Sequence, residues 1–179
     1  MGCSWVYRGM IYVPDTTPAG WIATSTPAGP FTKHGRVPEQ IKLTYAHDKF
    51  DLSVQSQYRD ILWRPWFAVL FRFEPDERDV FLHLWIRITR KENLLEIDPL
   101  KWIVIINDEK KALTPELKNQ ADYQGTEYFT VKYNVKVDTV QRMRIQFEGI
   151  KSGGEEIHIP DLELTKKKGR LICDRFNLS

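Results

Sequence analysis

The segment Asp79–Pro115 contains the clearest pattern of apolar and polar positions, and its first ten residues alternate almost without a fault. Successive side chains on a β-strand point to opposite faces, so this period of two predicts a strand with one face on a core. The core-facing set is Val80, Leu82, Leu84, Ile86 and Ile88, and the opposite set is Phe81, His83, Trp85, Arg87 and Thr89.

Similar apolar runs on both sides of this strand predict further strands. Turn-forming residues such as His47-Asp48-Lys49, Asn107-Asp108 and Gly153-Gly154 separate the runs. The segment 116–126 is polar and without a period, and we expect it to hold at most one helical turn. Roughly eight or nine short strands without a sustained helical period predict an all-β antiparallel sandwich. The runs are 41–45, 50–54, 66–73, 94–97, 102–106, 128–137, 142–148 and 157–164.

The N-terminal region is predicted to be an irregular arm, because prolines and glycines recur through residues 5–38. Trp5, Tyr7 and Trp21 are too apolar to remain in water, so we expect part of the arm to lie across the folded domain. The predicted organisation is a lipid-attachment end and arm at 1–38, a β-sandwich domain at 39–169 and a short tail at 170–179.

Composition and charge narrow the class of protein. The chain has 179 residues, of which 42% are hydrophobic and 28% charged, as in ordinary globular domains. The net charge is only +2, which gives no general reason to expect a nucleic-acid partner. No run approaches the ~20 apolar residues of a membrane helix, and the first residues lack the apolar region of a secretory signal.

The first residues, Gly2-Cys3-Ser4, resemble the start of a bacterial lipoprotein after removal of its signal peptide. This resemblance implies a lipid on Cys3, and the serine that follows implies sorting to the outer membrane of a Gram-negative cell. Two or more acyl chains make such an attachment stable, since each buried CH₂ contributes ~0.8 kcal/mol.

Other interpretations of Cys3 remain open. Met-Gly-Cys also begins dually acylated eukaryotic proteins, although that motif places Ser or Thr at the sixth position, where this chain has Val6. Cys3 is alternatively an ordinary cysteine, or it forms a disulfide with Cys173, a pairing that sequence alone does not decide.

The second half of the chain resembles the immunoglobulin-like β-sandwich domains of bacterial lipoproteins and secreted proteins of unknown function. Three pieces carry the resemblance, namely Val80–Ile97, Ile105–Pro115 and Phe147–Leu164. It implies an immunoglobulin-like fold. It implies no catalytic residues, because these domains share none.

The search for catalytic or metal-binding residues leads to the prediction that the protein is not an enzyme and holds no cofactor or metal. His83 and His158 are predicted on strands, where a pair on adjacent strands could bind a metal, but no cysteine or carboxylate spacing completes a site. The sequence contains no G-x-S-x-G elbow, Walker A motif or G-x-G-x-x-G loop.

The second face of the central strand, formed by Phe81, His83, Trp85 and Arg87, is the candidate binding face. An exposed aromatic surface there would suit sugar rings or a protein partner. The favoured alternative is that the N-terminal arm covers this face, because its own aromatic residues also need burial.

Together these observations predict a lipid-anchored protein on the periplasmic side of the bacterial outer membrane, with a structural or protein-binding role. The expected partners are the membrane, through the lipid on Cys3, and an envelope protein or a glycan. The alternative function is a carbohydrate-binding module that uses exposed tryptophans such as Trp85.

Overall fold

The computed structural model describes the backbone of residues 5–26, 31–32, 35–36, 40–55, 57–66, 69–73, 80–109 and 112–174. It describes side chains over residues 12–25, 41–55, 80–109 and 112–167. The protein is all-β, and its antiparallel sheets share one core in the manner of a β-sandwich, which confirms the predicted class. The finer immunoglobulin-like assignment stays a prediction.

The strands within these residues range from two residues to 13, and turns or 3₁₀ segments at Pro99–Lys101 and Val137–Thr139 connect several of them. In chain order they are β1 (Trp5–Val13), β2 (Trp21–Thr26), β3 (Phe31–Thr32), β4 (Gly35–Arg36), β5 (Gln40–Ala46), β6 (Phe50–Gln55), β7 (Gln57–Trp66), β8 (Val69–Phe73), β9 (Phe81–Arg90), β10 (Leu95–Ile97), β11 (Trp102–Ile106), β12 (Ala112–Leu113), β13 (Glu116–Tyr123), β14 (Thr126–Lys136), β15 (Arg142–Phe147), β16 (Ile150–Ser152), β17 (Glu155–Glu156) and β18 (Leu162–Asp174).

The two main sheets contain seven and six strands among the described residues. The seven-stranded sheet has the order β12-β11-β15-β18-β1-β7-β8, and the six-stranded sheet has the order β13-β14-β9-β6-β5-β2. A three-stranded sheet of β10, β16 and β17 is separate from both, and β3 and β4 form a small hairpin.

The core lies between the two main sheets. Leu84 and Ile86 of the six-stranded sheet and Trp102 and Ile145 of the seven-stranded sheet belong to one buried cluster. On β9 the alternation predicted from sequence holds, because Leu82, Leu84, Ile86 and Ile88 are all buried. β9 pairs with β6 on one side and with β14 on the other, so it lies in the interior of its sheet.

The prediction of an irregular arm is wrong for two described segments. Trp5–Val13 is β1, which lies between β18 and β7 inside the seven-stranded sheet. Trp21–Thr26 is β2, the edge strand next to β5. Backbone pairing on both sides satisfies the donors and acceptors of β1, and a register shift at Arg8–Gly9 interrupts its alternation.

The predicted C-terminal boundary at residue 169 also differs from the structure. β18 continues through Lys166–Lys168 to Asp174, because β1 supplies a pairing partner along this length. Cys173 lies opposite Val6 in this register. Cys3 lies outside the described residues, so both its lipidation and its pairing with Cys173 stay predictions.

The polar segment that was expected to hold at most a helical turn is a strand instead. β13 pairs with β14 and forms an edge of the six-stranded sheet. Its side chains are exposed except for Leu117, so it has no buried face to produce an alternating pattern.

Tyr12 of β1 connects the N-terminal strand to the 3₁₀ segment after β14. Its side chain is fully buried, and its hydroxyl donates to the carbonyl oxygens of Val137, at 3.2 Å, and Val140, at 3.0 Å. Lys166 of β18 also donates to the carbonyl of Val137, from Nζ at 3.0 Å. The Val137 carbonyl also accepts the backbone N–H of Val140 at 3.2 Å, so side chains from β1 and β18 both converge on the carbonyl that closes this turn.

Candidate functional site: the outer face of the six-stranded sheet

The outer face of the six-stranded sheet, the face turned away from the core, carries the predicted binding residues. Directly opposed residues on antiparallel strands share a face, so the register defines rows across it. One row contains Ala121, Tyr128, Arg87, Ser53, Thr44 and Ile22, and the next contains Asn119, Thr130, Trp85, Gln55, Lys42 and Thr24.

The four predicted residues lie on this face, but they differ in accessibility. His83 is 3% exposed, and its Nδ1 atom lies 3.0 Å from the carbonyl oxygen of Phe81. Phe81 and Trp85 are partly buried, whereas Arg87 is exposed. The outer face is therefore closed near His83 and open near Arg87.

Two ring contacts hold the side chains of the closed part of the face in place. The rings of His83 and Trp85 stack with centroids 6.3 Å apart. The ammonium group of Lys132 on β14 lies 4.4 Å from the centroid of the Phe81 ring, within the range of a cation–π contact. These contacts hold Trp85 between the closed part and the open part.

The open part of the face consists of two tyrosines and one arginine. Tyr123 is 66% exposed and Tyr128 is 42% exposed. The Arg87 guanidinium carbon lies 5.8 Å from the centroid of the Tyr128 ring. We call the surface formed by Arg87, Tyr123 and Tyr128 the tyrosine platform.

The β13–β14 hairpin positions both tyrosines on the same side of the sheet. Gln124 and Gly125 form its two-residue turn with positive φ angles of 51° and 75°, which suits a type I′ turn. The register pairs Tyr123 with Thr126 and Ala121 with Tyr128, so the two tyrosines are diagonal neighbours on the outer face. At about 7–8 Å, such neighbours lie within reach of one ligand.

Sequence reasoning did not assign the two tyrosines to the site. Tyr128 follows the alternation of its own strand, since it shares a parity with the outward Thr130, and this signal could have identified it. Tyr123 lies on β13, whose polar sequence carries no alternation, so its orientation depends on the hairpin register.

Hydroxyl groups surround the platform. The Oγ1 atom of Thr44 lies 3.3 Å from Oγ of Ser53, in the same row as Arg87. The Oγ1 atoms of Thr89 and Thr126 are also 3.3 Å apart, beside Tyr123 in the register. Ser53 and Thr126 are buried, so each pair joins neighbouring strands, and only Thr44 and Thr89 keep part of their surface in water.

The carboxylates on this face are already paired. Asp51 accepts a hydrogen bond of 2.8 Å from Lys91, and Glu116 accepts one of 2.7 Å from Lys118. Among the residues whose side chains are described, no carboxylate forms an ion pair with Arg87, and its guanidinium lies over the Tyr128 ring. Arg87 is therefore a cation that no carboxylate in this part of the chain neutralises directly.

A groove of about 340 Å³ lies on the other main sheet, between the turn at Asp108–Glu109 and Asp15. Within it, Arg144 binds Glu163 through Nε and Nη2, each at 2.8 Å from Oε1. The Thr165 hydroxyl donates to Asp15 at 2.8 Å. The Arg144–Glu163 pair cancels two of the charges in the groove, and Asp15, Asp108, Glu109 and Arg142 line the rest of it. The groove has no exposed aromatic ring among these lining residues, unlike the tyrosine platform.

Ser152 belongs to a polar cluster at the end of the sandwich. Its hydroxyl accepts a hydrogen bond of 3.0 Å from Lys49 and donates one of 3.3 Å to Glu92. A serine beside a lysine occurs in some hydrolases. Here Ser152 is buried, and the cluster joins three loops, so we interpret it as a structural link.

The described residues contain neither a cluster of metal-ligating side chains nor a helix that could span a membrane. No group of three or more His, Cys, Asp or Glu side chains in that part of the chain could hold a metal ion. His83 is on β9, whereas His158 lies in the segment before β18, so the two histidines are not on adjacent strands. None of the helical segments described here is long and apolar enough to cross a bilayer.

The fold and the site define an all-β protein with an open aromatic and cationic surface on one sheet. Compared with known protein families, curated proteins and solved structures, the chain matches none of them. The tyrosine platform is therefore the feature of the described residues that points most directly to a function.

Proposed function

We propose that the protein is a non-catalytic binding module of the bacterial cell envelope, that it holds a glycan on the tyrosine platform and that a lipid on Cys3 anchors it. The observation that supports glycan binding is the pair of exposed rings, Tyr123 and Tyr128, on one flat sheet face. The anchor is supported by the sequence Gly2-Cys3-Ser4.

The chemistry of a sugar suits this surface. A sugar ring has an apolar C–H face that packs on an aromatic ring and a rim of hydroxyl groups that needs hydrogen-bond partners. Tyr128 supplies the ring, Arg87 opposite it supplies hydrogen-bond donors, and the partly exposed Thr44 in the same row adds a hydroxyl group. Because the sheet holds these residues by backbone pairing, little conformational entropy is lost on binding.

A protein partner is the second candidate. The row that contains Arg87 ends at Ile22, which is 59% exposed on the edge strand β2. Tyrosine and arginine are also enriched at the centres of protein interfaces. A protein ligand would extend along the row toward Ile22, whereas a sugar would occupy only the platform.

The glycan proposal is tested by titration of a broad panel of oligosaccharides, with tryptophan fluorescence and calorimetry as readouts. Trp85 lies in the row next to the platform, so its emission should respond to a bound sugar. We expect Tyr128→Ala to weaken binding about tenfold, or about 1.4 kcal/mol.

Leu94→Ala is the matched control, because Leu94 is a large exposed apolar residue on a loop away from the platform. The absence of any response across the panel contradicts glycan binding. In that case Ile22→Glu, which would disrupt an envelope-protein complex but leave sugars unaffected, tests the second candidate.

The lipid anchor is tested by the coding sequence upstream of Gly2, where a charged and then apolar signal of ~15–30 residues should precede Cys3. Expression with that signal in a Gram-negative host should place the protein in the membrane fraction. Cys3→Ser should release it, and Cys173→Ser is the matched control. A protein that stays in the membrane fraction after Cys3→Ser contradicts the anchor.

A further inference from the structure

We infer that the glycan bound on the tyrosine platform is acidic, and that Arg87 binds a carboxylate carried by its sugar residues. This inference rests on the proposed glycan-binding function and specifies its ligand class. A uronate-bearing oligosaccharide is the occupant to which the surface is complementary in charge.

Arg87 has the properties of an anion-binding side chain. Its position on β9 places it in the interior of a sheet, between Tyr128 on β14 and Ser53 on β6. The guanidinium lies over the Tyr128 ring at 5.8 Å, so the ring restrains it before any ligand arrives. A planar guanidinium binds a carboxylate through two parallel hydrogen bonds, which a lysine cannot match.

The residues around Arg87 favour its binding to an anionic ligand rather than to a carboxylate of the protein itself. On the outer face, Asp51 and Glu116 each have a lysine as ion-pair partner. Asp122, the residue before Tyr123, is exposed, but the register pairs it with Glu127 and so places it on the opposite side of the sheet. Glu127 points to the opposite side of the sheet and binds Arg90. An acidic ligand at Arg87 therefore meets no unpaired carboxylate among these residues.

A nucleic acid is the other anionic polymer with rings that could stack on the tyrosines. Its phosphates would require a stronger basic surface than a chain with a net charge of +2 offers. The acidic glycan is therefore the better occupant.

The experiment uses calorimetry to compare the binding of two oligosaccharides of equal length, one neutral and one with a carboxylate at C6 of each residue. Each is titrated at low and at high salt. Wild-type protein should bind the uronate form at least about tenfold more tightly at low salt, and added salt should reduce the difference. Arg87→Gln should abolish this preference, because it weakens binding of the uronate form more than binding of the neutral form, until the two affinities are equal. Arg87→Lys should retain part of the preference, because the charge remains but the bidentate geometry is lost.

Arg142→Gln is the matched control, since Arg142 is an exposed arginine on the other main sheet. Urea unfolding of each variant checks that the fold is intact. Equal binding of both oligosaccharides, or equal effects of Arg87→Gln and Arg142→Gln, overturns the acidic ligand but leaves glycan binding in place. If neither these two oligosaccharides nor any member of the whole panel binds, glycan binding itself is overturned. If the protein prefers a single-stranded nucleic acid to both oligosaccharides, the inference is overturned in favour of that polymer.

Discussion

Arg90 on β9 and Glu127 on β14 form an ion pair at the end of the core. The Nε atom of Arg90 donates to Oε1 of Glu127 at 2.7 Å, and the glutamate side chain is only 7% exposed. Arg90 also donates through Nη1 to the carbonyl oxygen of Leu95, and Gln120 donates to the second oxygen of Glu127 at 3.3 Å. Three strands therefore meet at one carboxylate.

Truncation of this carboxylate should destabilise the fold. Glu127→Ala leaves the Arg90 guanidinium partly buried without its partner, and loss of one partner of a buried pair costs about 3–5 kcal/mol. Arg90 retains some contact with water, so we expect about 2 kcal/mol in urea unfolding. Glu127→Gln keeps both acceptor and shape and should cost less. Equal losses for the two variants would show that the charge does not contribute.

Alkaline pH should weaken the fold through Tyr12. Burial, and then the nearby charge of Asp138, raise the pKa of Tyr12 above its usual value of 10.0. The folded state therefore keeps the phenol proton at a pH where the unfolded chain loses it, so this stability is full below about pH 10 and falls as pH rises further. Tyr133, whose pKa burial also raises, should act in the same direction.

The variant Tyr12→Phe separates the two roles of this hydroxyl. At neutral pH it loses the bonds to the carbonyl oxygens of Val137 and Val140 and should cost about 1–2 kcal/mol. Above about pH 10 it should lose less further stability than the wild-type protein. Urea midpoints across the alkaline range provide the measurement, and parallel pH profiles for the two proteins would exclude Tyr12 as a titrating group.

Gly149 occupies a position that excludes a side chain. Its φ angle is +74°, and a Cβ atom there would lie 2.8 Å from Cδ of Lys101 and 3.2 Å from the carbonyl oxygen of Asp98. Gly149→Ala should cost about 2 kcal/mol, the sum of left-handed strain and the clash. Gly153→Ala is the control, because Gly153 has φ +59° but nothing within 4 Å. It should cost about 1 kcal/mol, and equal losses would rule out the clash.

Two buried tryptophans should respond differently to replacement by phenylalanine. The Nε1 atom of Trp21 donates to the carbonyl oxygen of Pro160 at 3.1 Å, whereas Nε1 of Trp102 has no hydrogen-bond partner within the part of the chain that the structure describes. Trp102 instead packs edge-on against Phe129, with ring centroids 5.2 Å apart. Trp102→Phe should therefore cost about 1 kcal/mol for lost volume, and Trp21→Phe about 1 kcal/mol more. Thermal and urea unfolding test this order, and the reverse order would contradict it.

The predictable part of the fold is the part with one buried face. Leu82, Leu84 and Ile86 alternate with outward residues because β9 separates the core from the outside. β13 carries no such contrast, since nearly all of its side chains meet water. Its existence follows from backbone pairing with β14, which a pattern of side chains does not report.

The sequence pattern did not predict β1 or the last part of β18, and the reason is different. β1 and β18 come from distant parts of the chain, but their backbones pair with each other along Trp5–Val13. Lys166–Lys168 resembled the end of a strand because charge usually marks solvent, but Lys166 donates to the carbonyl oxygens of Val137 and Asp138. Only the pairing of distant segments identifies such residues.

The candidate site was predicted in outline and corrected in detail. Alternation assigned Phe81, His83, Trp85 and Arg87 to one face, and the register confirms that shared face. Accessibility differs along it, since His83 is buried and Arg87 is exposed, and only packing determines this difference. Trp21 was expected to help cover this face, but its ring lies in the core beside Phe147.

The order of the seven-stranded sheet leaves the sheet in two halves until its final strand has been synthesised. β18 is the strand that joins the β12-β11-β15 half to the β1-β7-β8 half. The ribosome releases β18 after every other strand of this sheet, so the two halves remain unconnected, with open edges at β15 and β1, until β18 emerges. The nascent chain therefore exposes two strand edges up to that point, and protection of those edges by a chaperone would matter more than the speed of any local hairpin.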